Sequence, residues 1–219
     1  MTAAAQQGGA QQGGARRIWL VRHGETTGQS SIRYHGRNDV PLSEHGKAQI
    51  RALAPWLAGV SFASVVHSPL QRAAESAAIL GEHLRLPGER FTADERLREI
   101  SFGACEGLTR EEIDAAFPDF WRAYRAGETD CFPDGEPRAA FAARVAAAFA
   151  ELAAAPWQGD LLVVAHRGIV RQGLCALLGV PGHGPDPFGV ELGSLSVVRH
   201  EGAPPPVGGW QLELLGARP

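Results

Sequence analysis

Residues 160–171 read DLLVVAHRGIVR. An apolar run this short, with two adjacent valines, reads as a buried strand. A polar turn, His166-Arg167-Gly168, follows it, and a helical pattern then continues to about Leu178. The same grammar occurs at 18–25, IWLVRHGE, where the run Ile18 to Val21 ends in Arg22-His23-Gly24-Glu25, and order is expected to begin near Arg17. A third strand is expected over FASVVH, 62–67, with Pro69 starting a helix through about Leu84, since proline is tolerated at a first helical position. Between the first two strand candidates, apolar residues recur at helical spacing from Ser43 to about Ala58, with Ser43 as N-cap. An Ala-rich helix is expected from about Arg138 to Ala155. Two late strands, Leu195 to His200 and Trp210 to Leu215, flank a Pro/Gly-rich turn that suits a sheet edge. Strands alternating with helices imply an α/β domain with a mostly parallel sheet.

The chain has 219 residues, of which 44% are hydrophobic and 21% charged, enough to bury a sizeable core in one domain. A net charge of -3 argues against a protein built to neutralise nucleic-acid phosphates. Lys47 is the only lysine among 21 basic residues. A coding bias explains most of that, yet a planar fork suits phosphate better than an ammonium does. Cys105, Cys131 and Cys175 form neither a disulfide framework nor a zinc pattern, so a reducing cytoplasm is expected. No apolar run is long enough to span a membrane. The opening MTAAAQQGGAQQGGA lacks the basic start and apolar stretch of a signal peptide, and residues 1–16 read as a disordered tail ahead of a single domain at 17–219.

His23 and His166 each end a strand, and ligands of open α/β sheets sit beyond the carboxyl ends of strands. Taken alone, a histidine at a strand end is more often a hydrogen-bonded surface residue than a catalyst. Arg72 falls in the first turn of the helix after the third strand, where the helix dipole disfavours a cation. With Arg22, the edge collects two guanidiniums and two imidazoles that repel one another unless an anion joins them, and phosphate matches arginine bidentately.

These residues carry a resemblance. LVRHGETTGQSSIRYHGRNDVPLSEHGKAQ (20–49), SPLQRAAESA (68–77), LREISFGACEGL (97–108) and VVAHRGIVR (163–171) resemble, in order, four motifs of the histidine phosphatase superfamily, the phosphoglycerate mutase-like proteins. The resemblance implies a three-layer α/β/α domain with a small helical lid, at about 105–137. It implies that His23 is the nucleophile, forming a phosphohistidine, and that Arg22, Arg72 and His166 hold the phosphoryl oxygens. Glu99 protonates the leaving oxygen and then deprotonates water; without the other motifs it reads as a surface acid paired with Arg96 or Arg98. The arginines do the charge work of a metal, so neither metal nor cofactor is expected.

Four positions depart from the family pattern. Gln29 stands where asparagine is common. His35, beside Gly36, replaces glutamine or a small polar residue at a substrate-facing position. Arg167 replaces the first of two glycines, and Pro137 a serine. Gln29, His35, Gly36 and Arg167 are accordingly candidate substrate contacts. Arg167 either reads a second charge on the substrate or pairs with a lid acid.

The expected activity is that of a histidine acid phosphatase-type hydrolase acting on a small-molecule phosphate monoester, with no nucleic-acid or membrane partner and a homodimer left open. The alternatives are a cofactor-dependent phosphoglycerate mutase and a non-catalytic phosphate-binding module. A short lid favours hydrolysis, because water exclusion decides between transfer to substrate and transfer to water. Phe117, Phe120, Trp121, Tyr124 and Phe132 form either an apolar substrate wall or ordinary lid packing. Arg122 and Arg125, like Arg167, are candidates for reading further negative charge.

Overall fold

The two strands that end in His23 and His166 lie side by side. In the computed structural model, which describes residues 15–182, 188–201 and 209–219, β1 (Arg16–Arg22) pairs in parallel with β4 (Asp160–Ala165), in a register that sets Arg22 opposite Ala165. On the far side of β4, β2 (Phe62–His67) pairs in parallel with β4 and with the short β3 (Phe91–Ala93). On the far side of β1, β5 (Leu195–His200) and β6 (Gln211–Ala217) continue the sheet antiparallel. The order is β3-β2-β4-β1-β5-β6.

β4 is an uninterrupted apolar run because both its faces are covered. Leu161, Val163 and Ala165 pack with Phe141, Val145 and Phe149 of α5 (Arg138–Ala154) and with Ile169 and Leu174 of α6 (Arg167–Leu178). Leu162 and Val164 pack on the other face with Ile50, Leu53 and Leu57 of α1 (Glu44–Leu57) and with Ala77 and Leu80 of α2 (Gln71–Leu84). This is the expected three-layer α/β/α arrangement. Between Glu99 and α5 lie two seven-residue helices, α3 (Arg110–Ala116) and α4 (Phe120–Ala126).

Several boundaries move for identifiable reasons. β1 starts at Arg16, whose guanidinium donates to the carbonyls of Ala153 and Ala155 and stacks on Trp157, so this residue belongs to the domain rather than to the tail. Residues 1–14 and the Pro/Gly-rich turn at 202–208 lie outside the described residues. Helix α2 begins at Gln71, not at Pro69, because Asp39 accepts from the Gln71 N–H at 2.6 Å and so caps the helix there. β6 runs from Gln211 to Ala217, not from Trp210 to Leu215, and forms the expected sheet edge. β3 has three residues, too few for a periodic signal.

The turn after β1 is held against α1 by backbone contact. Ser43 caps α1 by accepting from the Gly46 N–H at 3.0 Å, while its own N–H donates to the Glu25 carbonyl at 2.9 Å. A Cβ on Gly24 would overlap the Gly46 backbone, and a Cβ on Gly46 would overlap the Glu25 carbonyl. We expect Gly46→Ala to destabilise the protein by about 1–3 kcal/mol through overpacking. Urea unfolding checks this: an unchanged or raised midpoint, as helix propensity alone would give, would show that the contact is slack.

Candidate active site

Because β1 and β4 end at the same level, the His23 and His166 rings meet at 5.1 Å between centroids, inclined by 63°. Their protons are placed by different partners. His23 Nδ1 donates to the Gly24 carbonyl at 2.7 Å, which leaves Nε2 with a lone pair. At His166, Nδ1 accepts from Arg72 Nε at 3.3 Å, so the ring proton is on Nε2 and is donated to Ser68 Oγ at 2.7 Å. Both rings are buried. Burial first, then the charges of Arg72 and Arg22, push the His23 imidazole well below its ordinary 6.5. Burial and Arg72, with His23 itself, do the same to His166.

Arg72 is among the largest fully buried side chains. Besides His166 it donates to the carbonyls of Gly36 and Asn38, each at 2.7 Å, and so ties the 36–38 loop to α2. A guanidinium has five N–H donors, so two remain for a ligand. Arg22 donates to the Val190 carbonyl at 2.8 Å, while its buried Nε has no hydrogen-bond partner. Burial, opposed mainly by Glu99, lowers the Arg22 pKa to about 10. An orphaned donor and two crowded cations call for an oxyanion.

Glu99 is only 8% exposed. Arg96 and Arg98 are engaged elsewhere, Arg96 with Asp94 and Glu151 and Arg98 with Glu95, which removes the surface-pair reading. Its carboxylate accepts from the N–H groups of Gly168 and Ile100, each at 3.0 Å, and thereby sits on the N-terminus of α6. Only a glycine at 168 permits this approach, since a Cβ there would overlap Glu99 Oε1. The backbone leading to Glu99 is clamped by Arg144 of α5. Arg144 donates to the carbonyls of Arg96 at 2.6 Å, Arg98 at 2.8 Å and Glu99 at 3.2 Å, and pairs with Glu136.

These groups open into a cavity of about 490 Å³. Arg22, His23, Arg72 and Glu99 line it, as do His35, Gly36 and Arg167. His166 lies behind them, fully buried, in contact with His23 and Arg72. Gln29 does not join the lining. It is exposed with φ 61, and its backbone carbonyl closes the following turn by accepting from Ile32 and Arg33. His35 Nε2 donates to the Gly28 carbonyl at 2.6 Å and its buried Nδ1 has no partner. Burial holds its pKa below the usual histidine value.

The lid aromatics Phe117, Phe120, Trp121, Tyr124 and Phe132 pack with Ile113 and Cys105, as a lid core rather than a substrate wall; Tyr34 and Phe102 from that cluster reach the cavity. Arg122 and Arg125 lie on exposed α4, bonded to Asp119 and to the Trp121 carbonyl, away from the lining. Sequence reasoning missed Ser68, Arg144 and four lining arginines, Arg33, Arg110, Arg138 and Arg171. Ser68, Arg33 and Arg171 lie inside the family-like motifs and were findable there; Arg110 and Arg138 lie on α3 and α5, outside all four motifs and with no shared spacing. Among the described residues, no group of three His, Cys, Asp or Glu side chains that could hold a metal converges. No helix among them is long and apolar enough to cross a membrane.

Two neutral buried histidines make stability depend on pH with a definite sign. Each has a lower pKa folded than unfolded, so below 6.5 the unfolded chain takes up protons that the native state does not. Stability is therefore lost as pH falls below 6.5 and gains nothing from this pair above it. We expect the urea midpoint to drop between about pH 7 and about pH 5.5, and to drop less in His23→Ala. A drop of the same size in both proteins would show that His23 is not held neutral.

The chain resembles known proteins over most of its length. The family model for the histidine phosphatase superfamily (branch 1) matches residues 18–213. Glucosyl-3-phosphoglycerate phosphatase of Mycobacterium tuberculosis is 37% identical over 175 residues, covering 76% of this chain and 77% of the relative. The Yersinia pestis protein named "Probable phosphoglycerate mutase GpmB" is 30% identical over 203 residues, covering 91% and 92%. Among solved structures, the alpha-ribazole phosphatase from Shigella flexneri superposes with a TM-score of 0.79 at 28% identity, covering 92% of this chain and 96% of that one. With the four motifs converging on one cavity, the chain belongs to the histidine phosphatase superfamily.

Proposed function

We propose that this protein is a phosphomonoesterase that hydrolyses a small-molecule phosphate monoester through a phosphohistidine at His23. The observation that carries the reading is the His23 proton. It is fixed on Nδ1 by the Gly24 carbonyl, so Nε2 keeps its lone pair in a cavity walled by Arg22 and Arg72. Nε2 attacks phosphorus, the bond to the leaving oxygen breaks, and Glu99 supplies the proton that oxygen takes up. Water then gives a proton to Glu99 and attacks phosphorus, and the P–N bond breaks to release phosphate. The orphaned Arg22 Nε and the two remaining Arg72 donors hold the non-bridging oxygens meanwhile. His166, its Nδ1 engaged by Arg72 and its proton by Ser68, steadies the Arg72 guanidinium from behind rather than touching the oxygens itself. His35, Gly36 and Arg167 face the rest of the substrate.

Two finer readings accompany this. The acid-phosphatase type is supported by the nucleophile itself: burial and two arginines keep His23 neutral well below 6.5, so it stays reactive on the acid side. A cytoplasmic location is supported by the cysteine pattern, three residues at 105, 131 and 175 that are too few and too scattered for a disulfide framework. A mutase must keep water from the phosphohistidine, and two seven-residue lid helices are a small screen for that task.

The decisive assay is hydrolysis of p-nitrophenyl phosphate. His23→Ala should lower kcat by about a thousandfold or more, chelator should leave the wild-type rate unchanged, and vanadate should inhibit. Turnover retained by His23→Ala would sink the mechanism, and loss of the rate on chelation would reveal a metal. Arg144→Ala tests how Glu99 is positioned. We expect kcat to fall by about tenfold with KM nearly constant, with partial recovery in Arg144→Lys. A change confined to KM would mean that the clamp serves binding instead.

A further inference from the structure

Arg72 and Glu99 must keep a fixed spacing although they stand on separate segments. One holds phosphoryl oxygens and the other exchanges the proton of the leaving oxygen. Each is held from its own side. Arg72 donates to the carbonyls of Gly36 and Asn38, in a turn closed by the Asn38 N–H on the His35 carbonyl at 2.8 Å. Glu99 is held through the Ile100 N–H and through Arg144 on its own carbonyl. The spacing of the pair therefore depends on how the 36–38 loop is joined to the 99–102 segment.

One carboxylate makes that joint. Glu106 follows the short 3₁₀ turn Gly103–Cys105 and is half-buried. Its Oε1 accepts from the Arg37 N–H at 3.0 Å, from the Phe102 N–H at 3.1 Å and from Ser101 Oγ at 3.1 Å. The first donor lies on the loop that holds Arg72, and the other two lie on the segment that carries Glu99. Hydrogen bonds to an ionised acceptor are stronger than neutral ones. The contact is also close. Gly36 has φ +51, and a Cβ there would lie 2.5 Å from Glu106 Oε1 and 3.0 Å from the Ile100 carbonyl oxygen. Glycine at 36 thus lets the loop seat on the carboxylate. Glu136 spans the same gap less directly. It is 3.3 Å from the exposed Arg37 guanidinium and 3.4 Å from the Ser101 N–H, and it is engaged by Arg144 at 2.6 Å. Glu106 does not line the cavity, so it acts through its neighbours and not on substrate. Its charge reaches Arg72 as well: burial lowers the Arg72 pKa, and Glu99, Asp39 and Glu106 oppose that.

We propose that Glu106 is a positioning residue that sets the spacing between Arg72 and Glu99 by clamping the 36–38 loop to the 99–102 segment. The proposal rests on the proposed function for the roles of those two groups.

Steady-state kinetics on p-nitrophenyl phosphate and phenyl phosphate tests it. The ratio kcat/KM covers the steps up to cleavage of the bond to the leaving oxygen. p-Nitrophenolate leaves with little help from an acid, whereas phenolate depends on the Glu99 proton. Glu106→Ala should lower kcat/KM about thirtyfold or more on phenyl phosphate and about fivefold on p-nitrophenyl phosphate. A loss of folded enzyme would lower both alike and leave their ratio unchanged. Glu106→Gln keeps an acceptor oxygen at the same reach and should restore the wild-type ratio. Glu106→Asp, one methylene shorter, should not, and it replaces the alanine variant if that one does not fold. Equal losses on both substrates, or none, overturn the proposal, as does a glutamine variant as impaired as the aspartate one. Calorimetric titration with inorganic phosphate separates the clamp from the phosphatase reading. A wild type inert on both substrates sinks that reading, and the clamp is then judged by phosphate affinity. Glu106→Ala should weaken that affinity about fivefold or more through Arg72, and Glu106→Gln should restore it. Unchanged affinity, or a wild type that binds no phosphate, overturns the clamp. An active wild type whose ratio Glu106→Ala leaves unchanged keeps the phosphatase reading and loses the clamp.

Discussion

The site depends on one strand pairing. The parallel ladder between β1 and β4 sets Arg22 opposite Ala165, so the next residue on each strand is a histidine. Since successive side chains in a strand alternate faces, a slip of one residue would separate the two rings and turn the apolar set of β4 toward the wrong layer. The register is therefore enforced by burial on both faces, with α5 and α6 on one side and α1 and α2 on the other. The hydrophobic core fixes the active-site geometry because His166 directly follows the apolar run of β4 and His23 follows that of β1 by one residue, Arg22.

That core was legible because its signals are local. Short apolar runs, a serine cap at Ser43 and a change of period from strand to helix each need only a few residues of sequence. Arg22, His23, Arg72 and His166 were legible for a different reason: each sits at or near the end of an element the pattern marks, inside a motif, whereas Glu99 was legible from its motif alone. What escaped was long-range. Arg144 reaches back 45 to 48 residues to grip three carbonyls, and backbone acceptors leave no mark in side-chain patterning. Asp39 moves the start of α2 by the same kind of remote contact. Gln29 shows the converse, since a motif position alone does not reveal that its backbone is left-handed and that its residue stays outside the cavity.

Charge in this protein is graded by depth. Next to His23 it is spent on fixed structure as well as on ligand, for Arg72 holds both a loop and the His166 tautomer. Further out, the arginines rest on aromatic rings and on single carboxylates. The net charge of -3 conceals this gradient, because most acids are spread over the exterior while, among the described residues, Glu99 is the one carboxylate that lines the cavity. Such a gradient draws an anion inward and raises its local concentration before any specific contact is made.

The glycines of the site carry a consequence for how such an enzyme can diversify. Gly24, Gly46 and Gly168 leave no space for even a methyl group, and the atoms they face are backbone or the Glu99 carboxylate. Substitution there is blocked whatever the substrate, so the innermost shell tolerates almost no drift. Positions 110 and 138, by contrast, are exposed on helices that can lose a side chain without opening a void. Heritable variation that survives selection for folding is thereby channelled to the lid and the mouth of α5, and a new substrate can be acquired there while the phosphoryl-transfer apparatus is inherited intact.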